Sequence, residues 1–195
     1  MKRALLYAGL AIWLGGIVAT FTMVWRYKLT PGPLAAAPER WPEASALRVA
    51  PGVANVVLFA HPRCPCTTAS MTELARLADE VRGRAKIHIV ILRPEGTEPG
   101  FEDGAIRDRA RTIPDADVVV DIDGREAARF GAAVSGSTIV YGRDGALVFR
   151  GGLTIARGHE GRGPAHDRIL AALDRSSDVA TAPTFGCALA SARTR

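Results

Sequence analysis

Three cysteines carry the chemical potential of this 195-residue chain: Cys64 and Cys66, separated only by Pro65, and Cys187 far downstream. A thiolate is both a nucleophile and a soft metal ligand, so two thiols this close point to thiol–disulfide exchange or to copper. For exchange, the site must lower a thiol pKa from about 8.5. If Cys64 caps a helix, Pro65 takes the first helical position, where a missing N–H does no harm. The free N–H groups of that turn and the helix dipole then favour negative charge at the thiols. Arg63 adds a positive charge, and His61 can take or give a proton near neutral pH. A disulfide between Cys64 and Cys66 would close a very small, strained ring, which suits oxidation or isomerisation better than strong reduction. This reading makes Cys64 the more exposed thiol and Cys66 its partner.

The third thiol leaves alternatives open. Cys187 is a resolving thiol that reaches back to Cys64, or it is unpaired, or it pairs with a partner protein; an odd count in an exported chain requires one of these. In the copper alternative, His61 or His159 would join Cys64 and Cys66 around Cu(I). Zinc matches less well, because a closed site takes four ligands at spacings this chain lacks. A third alternative is a non-enzymatic, redox-responsive interaction domain. The oxidoreductase reading calls for no resident cofactor.

The elements around the motif are legible from their periodicity. Val56 to Ala60 is wholly apolar, as a central strand covered on both faces should be, and His61-Pro62-Arg63-Cys64-Pro65-Cys66 follows it directly. Leu74, Leu77, Ala78 and Val81 recur at helical spacing before Gly83. Strands are expected at Ile87–Leu92 and Val118–Val120, with helices at Gly104–Arg111 and Glu126–Phe130. Ser137–Tyr141 and Ala146–Arg150 flank an Asp-Gly turn and predict a hairpin. A glycine-rich loop from Gly151 to Gly163 lacks the Gly-Lys-Ser/Thr of a phosphate loop and leads to a last helix near Pro164–Leu173. Arg157, His159 and Glu160 in that loop could lie near the cysteines and tune them. His88 reads as a structural histidine inside a strand, and His166 as a solvent-facing one. The order β-α-β-α-β-α-β-β-α gives an α/β fold, a mixed sheet flanked by helices.

The chain begins differently. Ala4 to Val24 carries no formal charge, long enough as a helix to span the ~30 Å hydrocarbon core at ~1.5 Å per residue. The run exceeds the h-region of a signal peptide, which favours an uncleaved anchor, residues 1–28, over a cleaved one. A slight positive-inside bias puts the N-terminus in the cytoplasm and the domain in the periplasm or outside the cell, with Trp25 and Tyr27 at the far interface. Residues 29–52 are rich in proline and alanine and read as a linker. Residues 53–175 form the folded domain, and 176–195 a tail that holds Cys187. The net charge is +5, but Lys2, Arg3, Arg26 and Lys28 account for most of it; without them 21 basic face 20 acidic side chains. A near-neutral domain lacks the footprint of a nucleic-acid binder. The expected partners are the membrane and thiol- or disulfide-bearing proteins.

The strand–motif–helix order, with cysteines directly after the first core strand, resembles the thioredoxin fold over roughly residues 53–175. His61-Pro-Arg-Cys-Pro-Cys66, Gly151-Gly-Leu-Thr-Ile-Ala-Arg-Gly-His-Glu160 and Phe185-Gly186-Cys187 resemble the membrane-anchored, RedB-type thioredoxin-like proteins. The resemblance implies thiol–disulfide chemistry with Cys64 and Cys66 as the catalytic pair. It also implies two departures. Thioredoxins use Cys-X-X-Cys; matched from Ala60, Cys66 falls on the second, more buried cysteine and Arg63 on the usual nucleophile position. The stretch Ser135-Gly136-Ser137-Thr138 stands where the family places a proline before the strand facing the cysteines.

Overall fold

The computed structural model describes residues 2–174 and 178–189. The chain divides into two units, one up to Thr30 and one from Pro31 onward. The first is a single helix, α1 (Lys2–Leu29), whose apolar side chains Leu5, Ile12, Trp13 and Phe21 are all exposed within the protein. It is long and apolar enough to cross a membrane: mean hydropathy reaches 1.9, and 28 residues span about 42 Å.

The second unit is built on a six-stranded sheet. Its elements are β1 (Ala54–Ala60), α2 (Pro65–Glu80), β2 (Ala85–Arg93), α3 (Ala105–Arg111), β3 (Ala116–Ile122), α4 (Arg125–Arg129), β4 (Thr138–Tyr141), β5 (Leu147–Gly151), α5 (Pro164–Asp174) and β6 (Ala180–Thr181). The strand order is β3-β2-β1-β4-β5-β6. β1, β2 and β3 are parallel, joined by crossovers through α2 and α3, and β4 runs antiparallel to both β1 and β5. β1 is buried along its whole length because strands flank it and side chains cover both its faces. Val56, Leu58 and Ala60 meet Met71, Leu74 and Leu77 of α2, Ile106 of α3 and Ile169 of α5. Val57 and Phe59 point the other way, toward Phe130, Tyr141 and Leu147.

That second face corrects the reading of residues 29–52 as a linker. α4, its helix, has five residues and cannot cover it alone. Residues 31–52 do so instead, as an irregular arm that buries Ala35 and Leu47. Trp41 sets its ring edge-on to Phe130 and Tyr141, with centroids 5.2 and 5.4 Å away, and tilted against His88. Prolines bar this segment from a helix, so its backbone pairs with neighbours. Ala36 N–H donates to Gly131 O (3.0 Å), Trp41 N–H to Gly145 O (3.1 Å), and Leu147 N–H to Glu39 O (2.8 Å). Gly131 is required twice over, by a φ of +63° and because a Cβ would stand 2.4 Å from Ala36 O.

The downstream segment is also more than a tail. β6 pairs parallel to β5, and Thr184, Phe185, Gly186 and Leu189 are buried. Gly32 N–H donates to Thr184 O at 2.8 Å, so the arm and this segment meet. His166 is buried at 0% exposure rather than facing solvent; its Nε2 lies 3.1 Å from the Glu73 carbonyl. His88 is buried as a structural histidine, 3.1 Å from Asn55 Oδ1.

Candidate thiol site

The end of β1 and the start of α2 present the first two cysteines. Cys64 is the N-cap, extended at φ −92° and ψ 113°, with Pro65 in the first turn. Cys64 N–H donates to His61 O (3.1 Å) and Thr67 N–H to Cys64 O (3.0 Å), which closes the turn that starts the helix. As the N-cap residue, Cys64 places its sulfur at the mouth of the helix.

From the other end of the chain comes Cys187, whose Sγ lies 3.0 Å from Cys64 Sγ. No disulfide joins the three cysteines in this structure. Burial pushes the Cys64 thiol up, but hydrogen bonds outweigh it and bring it below the ordinary value. They come from the Cys187 thiol, from Thr67, and from the backbones of Cys187 and Cys66. Cys187 moves the other way, to about 11, through burial and then its bond to Cys64 and the Cys64 charge. Of the two, Cys64 therefore gives up its proton first and Cys187 keeps its proton longer. Burial and then the Cys64 charge also raise Cys66, against the pull of the Arg157 guanidinium.

The exposures reverse the expected order of the two motif thiols. Cys64 is 2% exposed and Cys66 is partly exposed, because Cys187 and its flanks cover Cys64. His61 and Arg63 turn elsewhere. The Arg63 guanidinium lies over Phe101 at 4.9 Å, and the His61 ring stands edge-on to the same phenyl at 6.2 Å. Burial and then Arg63 lower the His61 pKa, and its Nδ1 accepts the Arg63 N–H at 3.1 Å. His159 is exposed, and among the described residues no hydrogen bond joins it to a thiol. Arg157 does approach, donating to Gly186 O and standing beside Cys66. Its loop is fastened to α2 where Gly161 N–H donates to Glu73 Oε1 at 2.7 Å.

Ser135 is the residue that sequence reasoning undervalued, marking it only as a place without proline. Its Oγ accepts His61 N–H at 2.8 Å and shares a 2.6 Å hydrogen bond with Thr67 Oγ1. Its N–H donates to Cys187 O at 2.8 Å. It thus ties the motif, the helix and the downstream segment together at one point. Phe101 was missed too, since nothing in its own surroundings pairs it with Arg63.

Among the described residues, no three His, Cys, Asp or Glu side chains converge to hold a metal ion, and His61 Nδ1 is already engaged.

No protein-family model matches the chain, and no curated protein does. Solved structures do. An uncharacterised conserved protein from Geobacillus kaustophilus superposes with a TM-score of 0.62 at 21% identity, covering 86% of this chain and 94% of that one. A hypothetical protein from Sinorhizobium meliloti 1021 gives 0.60 at 23% identity, covering 84% and 96%. A more distant likeness, TM-score 0.44 at 16% identity over 64% and 82%, is to a secreted Mycobacterium tuberculosis disulfide oxidoreductase. The narrower RedB-type likeness rests on the sequence motifs alone. With β1 central, parallel to β2 and antiparallel to β4, and a cysteine capping the helix that follows it, the fold is thioredoxin-like.

Proposed function

We propose that this protein is a membrane-tethered, extracytoplasmic thiol–disulfide oxidoreductase of oxidising character, with Cys64 and Cys187 as its redox couple and Cys66 as an auxiliary thiol. The observation that carries it is the 3.0 Å approach of Cys64 Sγ and Cys187 Sγ at the mouth of α2. A disulfide between them needs only a small closing movement to a bond of about 2.05 Å. In the oxidised form, a substrate thiolate attacks Cys187 Sγ, on the more exposed residue of the two. The Cys64–Cys187 bond breaks and Cys64 leaves with the electron pair, because the sulfur of lower pKa is the better leaving group. A second substrate thiolate attacks the substrate sulfur of the mixed disulfide. Cys187 then departs and takes a proton. Two thiols become one disulfide, and the protein gains two electrons. Stabilising the Cys64 thiolate stabilises the reduced form, which makes the couple oxidising. α1 would hold the domain at the membrane surface, with the short N-terminus in the cytoplasm.

Acid-trapped, oxidised full-length protein in detergent tests the reading. Peptide mapping is expected to show Cys64 joined to Cys187, and two equivalents of thiol to reduce it with formation of one external disulfide. A map in which Cys64 stays a free thiol after oxidation rules the couple out.

A further inference from the structure

The segment that delivers Cys187 is itself a bound strand. Ser135 N–H donates to Cys187 O (2.8 Å), Leu189 N–H donates to Ala133 O (2.9 Å), and Val134 and Ala188 form an antiparallel bridge. The ledge at 133–135 is continuous with the sheet, since Gly136 N–H donates to Phe59 O (2.7 Å) and Phe59 N–H to Ser137 O (2.9 Å). A strand added to this ledge brings a cysteine within 3.0 Å of Cys64, as Cys187 demonstrates. An incoming polypeptide that used the same backbone groups would have to evict the resident. The resident is held firmly. A Cβ on Gly186 would stand 1.9 Å from Ser135 O, so the two backbones are in direct contact. Phe185 and Leu189 are 5% and 3% exposed, Thr184 O accepts Gly32 N–H, and Gly186 O accepts from Arg157. Cys66 and Cys187 nevertheless remain partly exposed.

We propose that residues 184–189 are a resident strand that fills the docking ledge, so that the intact protein exchanges disulfides with low-molecular-weight thiols and is closed to extended polypeptide thiols. This rests on the Cys64–Cys187 couple above. The steps balance as written there, with two small thiols converted to their disulfide while the Cys64–Cys187 bond is reduced. A small thiol needs a path to Cys187 Sγ and no backbone pairing; a polypeptide needs the ledge.

The test uses oxidised full-length protein in detergent, with glutathione and with reduced, unfolded ribonuclease A at equal thiol concentration. Loss of the Cys64–Cys187 disulfide is followed by acid quench and alkylation. Glutathione is expected to react at least about tenfold faster per thiol, the factor corresponding to a barrier of one or two unmade strand hydrogen bonds. Gly186→Ala keeps Cys187 but pushes the strand off Ser135 O. It is expected to raise the ribonuclease rate relative to the glutathione rate by about tenfold. Equal per-thiol rates in the intact protein overturn the resident-strand proposal while leaving the couple standing. If Gly186→Ala does not fold, the wild-type ratio decides alone. A disulfide that neither thiol reduces sinks the oxidoreductase reading instead.

Discussion

One face of the sheet is covered by α2, α3 and α5, the other by the arm of residues 31–52, α4 and Leu189. The helical side is made of amphipathic segments whose apolar residues repeat at regular spacing. The other side is assembled from proline-broken chain and isolated anchors such as Trp41. Each side contributes one sulfur. Cys64 caps α2, and Cys187 lies in the segment that buries Leu189. The proposed redox couple therefore joins the regular cover to the irregular one, and its geometry depends on both being in place.

The largest expected effect removes that junction. Cys64→Ser and Cys187→Ser should each abolish disulfide transfer to thiols, whereas Cys66→Ser should retain most of it, as measured by oxidation of glutathione in stoichiometric turnover. Retained activity in Cys187→Ser, with loss in Cys66→Ser, would move the couple onto one side of the comparison. The next effect weighs the covers directly. Trp41→Ala should lower unfolding free energy by about 3 kcal/mol, comparable with Leu74→Ala on the helical face, both read from urea unfolding. A segment that merely linked two units would lose no more than about 0.5 kcal/mol.

A smaller effect follows from His88, which sits under Trp41 on the irregular side. Burial lowers its pKa to about 4, with partial relief from Asp117. The unfolded chain binds that proton at about 6.5, so between about 6.5 and about 4 the unfolded state holds more protons. Stability from neutral His88 is present above the unfolded value and is lost as pH falls through this window, by up to about 3 kcal/mol. His88→Asn should flatten the dependence of the urea midpoint on pH there. The smallest effect belongs to the surface. Arg63→Ala removes the contact over Phe101 and should change stability by less than about 1 kcal/mol, with Cys64 alkylation still occurring at unusually low pH. A strong rise in the alkylation pH would instead restore Arg63 to the role its sequence position implied.

The contrast between the covers explains what could be read in advance. Val56–Ala60, Ile87–Leu92 and the Leu74, Leu77, Val81 series have periodicities that only one element type fits, and the sheet and its helices follow from them. Pro65 after Cys64 likewise announced the cap, a local rule of backbone chemistry. Residues 31–52 have no period, because they are placed by contacts with Gly131, Gly145 and Leu147 about a hundred positions away. The same holds for Cys187, whose carbonyl accepts Ser135 N–H beside the Val134–Ala188 bridge. The exposures of Cys64 and Cys66 were inverted for that reason: the covering segment belongs to the distant part of the chain.

The separation of 123 positions from Cys64 to Cys187 also has a meaning in time. At about 5–20 residues per second, a growing chain carries Cys64 on the order of ten seconds before Cys187 is made. During that interval the thiol at the mouth of α2 has no Cys187 proton donor and no covering strand. The proposed couple is thus completed only after every strand of the sheet has been synthesised, so a chain arrested or truncated early holds the motif without its partner thiol.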